Sequence, residues 1–378
     1  MIYFDHNATY PSLKSATDMM LKVMSQASGN PSSLHESGRK ARKYLDDARD
    51  KLAQFLHVES GSIVFTSGGT EANNMAIWGY LSTQPVGHVI TTAIEHPAVL
   101  ENLEIWKQQG WDISTVRPDN QGYVDPAKIE AKITAETRMV CVMAANNETG
   151  VLQDIEKIGA ICKKNNICFF VDAVQQLGKE AIDIGTWQAD MISVSAHKIG
   201  GPKGVGALII RRGLKLKPLT AGGGQERKRR SGTENVPAIA GFAAALGEVD
   251  FTALKPLRDH FEAQLKANIS DAIVFSSQAK RVSNTSMFCI PRIDGETLLM
   301  QLDLAGFAVA SGSACSSGKR DPSHVLQAMG YKNSIAGSSI RVSFGHQNTE
   351  AEADALVDAL INIRQRLAAM AGHTWRNA

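Results

Sequence analysis

Residues 168–210 read CFFVDAVQQLGKEAIDIGTWQADMISVSAHKIGGPKGVGALII, and three apolar runs punctuate them: CFFVDA, MISVSA and VGALII. Each is short, nearly continuous in apolar residues and closed by small or polar ones, which predicts a strand buried on both faces. The same texture extends upstream. From about residue 60, SIVFTS, HVITTAI, DISTVRP and MVCVMAA are strand-like, and several are separated by helical stretches such as TEANNMAIWGYL, PAVLENLEIWKQQ and DIEKIGAICKKNN. Strands alternating with helices predict a largely parallel α/β sheet with right-handed crossovers.

Working outward, residues 32–57 predict a polar amphipathic helix, capped by Ser32 or Ser33. Past the block, LTAGGGQERKRRSGTENVP is rich in glycine and charge and reads as loop. From about residue 250 the texture changes: a helix near Ala253–Ile269, strand-like NTSMFCI and SSIRVSFG, and a closing helix from Thr349. This predicts a large domain over 13–250 and a smaller α+β domain built from both chain ends, 1–12 and 251–378.

The 378 residues are ample to bury a core without disulfides or a structural metal. Lys plus Arg is 40 against 38 Asp plus Glu, a net charge of +2, so no basic field marks nucleic acid as a partner. The opening MIYFDHNATYPS lacks the basic start and apolar core of a signal peptide, and no apolar run is long enough to span a membrane. A soluble, cytoplasmic protein is expected. Cys141, Cys162, Cys168 and Cys289 sit in apolar surroundings and read as buried thiols. Cys315, in SGSACSSG, sits among small polar residues and reads as an accessible loop thiol.

Four segments carry candidate chemistry. In FTSGGTEANN a strand ends at Thr66, Ser67 to Thr70 make a turn, and a helix begins near Glu71; such a helix N-terminus can hold a phosphate, although an ordinary βα turn explains it equally well. VDAVQ puts Asp172 at the carboxyl end of a strand, with Gln175 just beyond, where open α/β sheets bind ligands; a carboxylate there can hold a cationic ring nitrogen or simply cap a helix. SVSAHKIGGPKG puts Ser195, His197 and Lys198 at another strand end, the layout of a Schiff-base lysine paired with a distant Asp. AIEHPAV offers His96 as a ring to stack on a planar cofactor, to move protons, or to cap the following helix. No HExxH and no paired-cysteine spacing supports a metal. Arg227-Lys228-Arg229-Arg230 reads as a solvated run that could touch phosphate.

Taken together, YFDHNAT, GNPSSLHESGRKAR, FTSGGTEANN, AIEHPAVL, NNETGVLQDI, DAVQQLGK, SAHKIGGPKGVGAL, GGGQERKRRSGTEN, GSACSSG and IRVSFG run in order from residue 3 to 345. In that order they closely resemble the NifS/IscS-like cysteine desulfurases of the class V aminotransferase group, pyridoxal-phosphate (PLP) enzymes of fold type I. The resemblance implies a large domain with a mainly parallel seven-stranded sheet and a homodimer. It implies that Lys198 carries the cofactor, Asp172 pairs with its ring nitrogen, Gln175 holds the ring hydroxyl and His96 stacks on the ring. Gly69, Thr70, Ser195 and His197 would hold the phosphate, joined by Thr233 from the partner subunit, and Asn147 would contact the cofactor. Arg341 would clamp the substrate carboxylate, with Asn7 close by.

Cys315 matches the persulfide-forming cysteine. The implied reaction takes sulfur from L-cysteine, releases L-alanine, and passes the persulfide to an iron–sulfur scaffold or another sulfur-acceptor protein. The isolated enzyme would hold no metal, while Cys315 in a scaffold complex could contact a cluster. A selenocysteine lyase or class V aminotransferase is the alternative, and the thiol in its loop argues against a transaminase. Lys228 stands where the family usually has glycine, and His6 where many members have asparagine. The short stretch after the last helix, GHTWRNA, favours a nitrogen-fixation-type or other specialised branch.

Overall fold

The apolar runs become strands because both of their faces are covered: every residue of HVITT, CFFVD, MISVS and GALII is buried. The computed structural model describes residues 1–312 and 321–370. Its strands, in chain order, are β1 (Ile2–Tyr3), β2 (Ile63–Thr66), β3 (His88–Thr92), β4 (Asp112–Val116), β5 (Thr137–Met143), β6 (Cys168–Asp172), β7 (Met191–Ser195), β8 (Gly206–Ile210), β9 (Ile273–Val274), β10 (Thr285–Cys289), β11 (Phe307–Ala308), β12 (Ala310–Ser311) and β13 (Ser339–Ser343).

Seven strands form the large sheet, in the order β2-β8-β7-β6-β5-β3-β4. Only β8 runs against the rest, antiparallel to both β7 and β2. The glycine-rich link AHKIGGPKGV between β7 and β8 is too short for the crossover a parallel pair needs, whereas an antiparallel pair needs only a turn. β12, β13, β10 and β9 form an antiparallel four-stranded sheet, and β1 pairs in parallel with β11. Apolar residues cover both faces of the large sheet, while Phe4 joins Phe261, Phe288, Ile340, Phe344 and Leu360 in a separate core, which includes residues of the helices Lys255–Asn268 and Glu350–Met370. Among the described residues no helix is long and apolar enough to cross a membrane.

The predicted helix over 32–57 is corrected at its start. It runs Glu36–Phe55, and its cap is His35, whose Nδ1 accepts the Gly38 N–H at 3.2 Å. Ser32 and Ser33 instead close a turn on Asn30, donating their N–H groups to its Oδ1 and its carbonyl. The four cysteines read as core thiols are indeed buried and free.

The loop after β8 is held by one buried ion pair. Glu226 accepts two hydrogen bonds from Arg49, at 2.8 and 2.6 Å, and one from the Phe65 N–H at 2.9 Å. Around this anchor Glu226, Arg227 and Lys228 take left-handed backbone conformations, with φ of 46°, 58° and 66°. The basic run is spent locally: Arg227 and Arg229 donate to the carbonyls of Ser60 and Gly61, and Arg230 pairs with Glu71. Lys228 is exposed in a conformation that glycine adopts without penalty, and left-handed backbone costs an L-residue about 1–2 kcal/mol. Lys228→Gly is therefore expected to raise the urea unfolding midpoint, by a stability gain of about 1 kcal/mol. A lowered midpoint would show that the loop is not strained there.

Candidate active site

Five strands of the large sheet end around one cavity of about 260 Å³, which the N-terminal segment and Arg341 of β13 close from the other side. Among the described residues, all the expected site residues line it except Thr233. Thr233 is exposed and does not line the cavity of its own chain. Cys315 lies outside the described residues. A larger cleft, about 780 Å³, runs past His57, Lys163 and Arg212 and contains none of the expected residues.

One end of the cavity is built for an anion. The helix Gly69–Leu81 begins where β2 turns, so its first N–H groups point outward with the positive end of the helix dipole. Gly69 is required by packing: a Cβ there would stand 2.7 Å from Cγ2 of Val174. Ser195 and His197 face the same end, and an adjoining cleft of about 410 Å³ shares Gly69, Thr70, Ser195 and His197 and adds Lys203. Burial, with help from Lys198 and Lys203, pushes the His197 imidazole down to about 4.

Asp172 ends β6, and both its oxygens are engaged. Oδ2 accepts from Nδ2 of Asn73 at 2.7 Å, and Oδ1 accepts the Val174 N–H at 3.0 Å. Asn73 was missed from the sequence; its signal was its place one helical turn after Gly69, on the face turned to the sheet. His96 caps the helix Pro97–Gln108, Nδ1 accepting the Ala98 N–H at 3.0 Å, so its proton sits on Nε2. It both caps that helix and lines the cavity. Burial holds its imidazole below the usual range against the opposing pull of Asp172, which keeps the ring neutral.

Lys198 follows β7 on a single 3-10 turn, and its Nζ donates to the carbonyls of Asn7 at 2.7 Å and Ala8 at 2.9 Å. Gln175 donates from Nε2 to the same Asn7 carbonyl at 3.0 Å. Arg341 donates to the Asn147 carbonyl at 2.9 Å and pairs with Asp5 at 2.7 Å. The side-chain amide of Asn7 is already occupied by Thr285, Asn284 and the buried Lys179, another residue the sequence reading passed over.

Four buried polar atoms of the cavity-lining residues have no partner: Asn73 Oδ1, Asn147 Oδ1, Ser195 Oγ and Arg341 Nε. Each such group costs about 1–3 kcal/mol when left unpaired, so their convergence marks a polar ligand site. A primary amine, an oriented carboxylate, a neutral imidazole and an anion cradle fit pyridoxal phosphate. Among the described residues no cluster of His, Cys, Asp or Glu is arranged to hold a metal.

This fold and site define a pyridoxal-phosphate enzyme of fold type I. A family model described as aminotransferase class-V matches residues 2–356. The chain is 39% identical over 375 residues to cysteine desulfurase IscS of Dictyoglomus turgidum, covering 97% of this chain and 95% of that one. It is 42% identical over 376 residues to cysteine desulfurase 2 of Trichormus variabilis, covering 98% and 94%. Among solved structures, a NifS-like protein from Rickettsia africae superposes with a TM-score of 0.88 at 35% identity, covering 97% of this chain and 99% of that one. A structure titled SspA in complex with cysteine superposes with a TM-score of 0.83 at 31% identity, covering 92% and 100%. The chain belongs to the class-V aminotransferase family, among its cysteine desulfurases.

Beside His96, the Glu95 carboxyl is wholly buried, accepting from Thr92 Oγ1 at 2.6 Å and from the Met143 N–H at 3.0 Å. It ties the His96 turn to the end of β5. Burial pushes it up to about 8 from an ordinary 4.5, so the fold favours the protonated acid. Its proton-linked stability is full below 4.5 and is lost as pH rises through about 8. Glu95→Gln is expected to flatten the decline in unfolding free energy between those limits, by up to about 1.4 kcal/mol per pH unit for one proton. Urea titrations at several pH values measure the slope; an unchanged slope would mean that Glu95 is ionised in the fold.

Proposed function

We propose that this chain is a PLP-dependent cysteine desulfurase that takes the sulfur of L-cysteine onto Cys315 as a persulfide. The observation that carries the reading is the convergence of Lys198, Asp172 and His96 on one cavity, opposite the unpartnered Nε of the buried Arg341. When bound, the cofactor supplies a cationic ring that accepts the electron pair left by bonds breaking at the substrate α-carbon.

The protein's own groups do the rest. Lys198 would hold the cofactor through its amine, and that amine, once free, would take the substrate's α-proton and return protons to carbon. The Asp172 carboxylate, steered by Asn73, holds a proton on the ring nitrogen. His96, neutral and fixed by its helix cap, would lie against the ring. The first N–H groups of the helix Gly69–Leu81, with Thr70, Ser195 and His197, would bind the phosphate, and Gln175 would donate to the ring oxygen. Asn147 contributes its free Oδ1, and Arg341 uses its free Nε–H on the substrate carboxylate.

The Cys315 thiolate then attacks the substrate sulfur. The new S–S bond forms as the Cβ–S bond breaks, the electron pair stays with carbon, and a proton completes alanine. The outer sulfur leaves for an acceptor, an iron–sulfur scaffold or another sulfur-carrier protein in the cytoplasm.

The working unit is a homodimer. Thr233 supports this: it is exposed and absent from its own cavity, while Arg230 of the same loop reaches Glu71 at 2.8 Å, beside the anion cradle. The cores support the division at residues 12/13 and 250/251: two lie against the seven-stranded sheet and one gathers Phe4, Phe261 and Phe344, with a shared seam where Phe251, Phe275 and Val325 pack into the largest.

Cys315→Ala should bind PLP with an unchanged visible absorption band and lose sulfide formation from L-cysteine under reductant. Normal sulfide turnover in that variant would overturn the assignment. Incubation of the wild type with 2-oxo acids should give no transamination.

A further inference from the structure

Lys179 is wholly buried, yet among the described residues no carboxylate pairs with it. Its Nζ donates to Oδ1 of Asn7 at 2.6 Å and to Oε1 of Gln175 at 2.8 Å, with the Phe251 ring 5.9 Å away. Burial, with Lys198 and Arg341 nearby, pushes its amine well below the usual range. Charged or neutral, the amine has at least two N–H donors, and two amide oxygens receive them. The group makes no contact with the cavity, so a direct part in chemistry is excluded by position.

Its effect falls on the orientation of two amides. An amide side chain presents a donor at one end and an acceptor at the other, and only its partners decide which end faces where. With Oε1 of Gln175 held by Lys179, Nε2 is left on the cavity side, where it donates to the Asn7 carbonyl that also receives Lys198. With Oδ1 of Asn7 held by Lys179, Nδ2 is turned to Thr285 Oγ1 at 2.8 Å. A flipped Gln175 would offer an oxygen to the anionic ring oxygen and repel it.

We propose that Lys179 is a positioning residue which, by donating to both amide oxygens, fixes Gln175 as a hydrogen-bond donor to the ring oxygen of the cofactor. This rests on the assignment of Gln175 given above. The charged groups that face Lys179 are Lys198 and Arg341 across the cavity wall, and His6 on the N-terminal segment titrates against it.

The test is a double-mutant cycle in reconstituted holoenzyme, using wild type, Lys179→Met, Gln175→Leu and the double variant. Two quantities are read: the PLP dissociation constant and the pH midpoint of the visible absorption change. Lys179→Met should weaken PLP binding about tenfold, the worth of one hydrogen bond to a charged group, and raise the midpoint. In the Gln175→Leu background the same substitution should move neither quantity further, because its effect passes through Gln175.

Equal shifts in both backgrounds, or no shift in either, would overturn the proposal while leaving the Gln175 assignment standing. If Gln175→Leu alone changes nothing, that assignment fails and the proposal falls with it. Lys179→Gln, which keeps one donor, should give a smaller shift in the same direction and replaces Lys179→Met if that variant does not fold.

Discussion

Asn7 pins the two halves of this molecule together, and the site depends on that pin. Its N–H donates to Ser343 Oγ and its Nδ2 to Thr285 Oγ1, both on the four-stranded sheet. Its Oδ1 takes Lys179, and its carbonyl takes Lys198 and Gln175, all on the large domain. Each polar atom of one residue is therefore committed, in a place with 1% exposure where water cannot substitute. The neighbouring residues tie the N-terminal strap to the same small sheet and its flank: Asp5 pairs with Arg341, and Tyr10 accepts from the His346 N–H. Loss of the N-terminal strap would release the lysine, the glutamine and the arginine at once.

Within that frame, burial sets the charge pattern. His96 and His197 are held neutral chiefly by desolvation, His96 against the pull of Asp172 and His197 with help from Lys198 and Lys203, and the helix cap decides which nitrogen of His96 keeps its proton. A neutral ring can lie against a cationic heterocycle without repulsion. Burial pushes Glu95 up to about 8 and Glu148 up to about 7, against the hydrogen bonds that Thr92 and the Met143 N–H give the first and Ser323 gives the second. Two acids near the pocket thus carry less negative charge around neutrality than exposed carboxylates would, and Asp172, oriented by two donors, is the one carboxylate among the described residues that line the cavity.

Much of this was legible in the sequence, for physical reasons. Continuous apolar runs such as CFFVD mark strands covered on both faces, and a parallel sheet gathers their carboxyl ends. Asp172, Ser195, Lys198 and His96 could thus be placed at one edge before any coordinates. What the sequence hid was pairing across long separations. Nothing local says that Asn73 steers Asp172, or that Lys179 serves an amide on the N-terminal strap 172 residues away. The helix cap was misplaced because Ser32 and Ser33 are strong capping types, and a histidine took the role once Asn30 had claimed both serine amides. Lys228 was noted as a departure from glycine, and its positive φ shows why glycine is the easier residue there.

Lys198 stands at the cavity wall and Lys179 behind it, outside the lining, and chemistry can check that the cofactor takes the first. Borohydride reduction of the PLP-loaded protein, followed by digestion and mass spectrometry, fixes the cofactor to whichever amine holds it. The phosphopyridoxyl group is expected on the peptide containing Lys198, with Lys179 unmodified. Label on Lys179, or spread over surface lysines, would contradict the site described here.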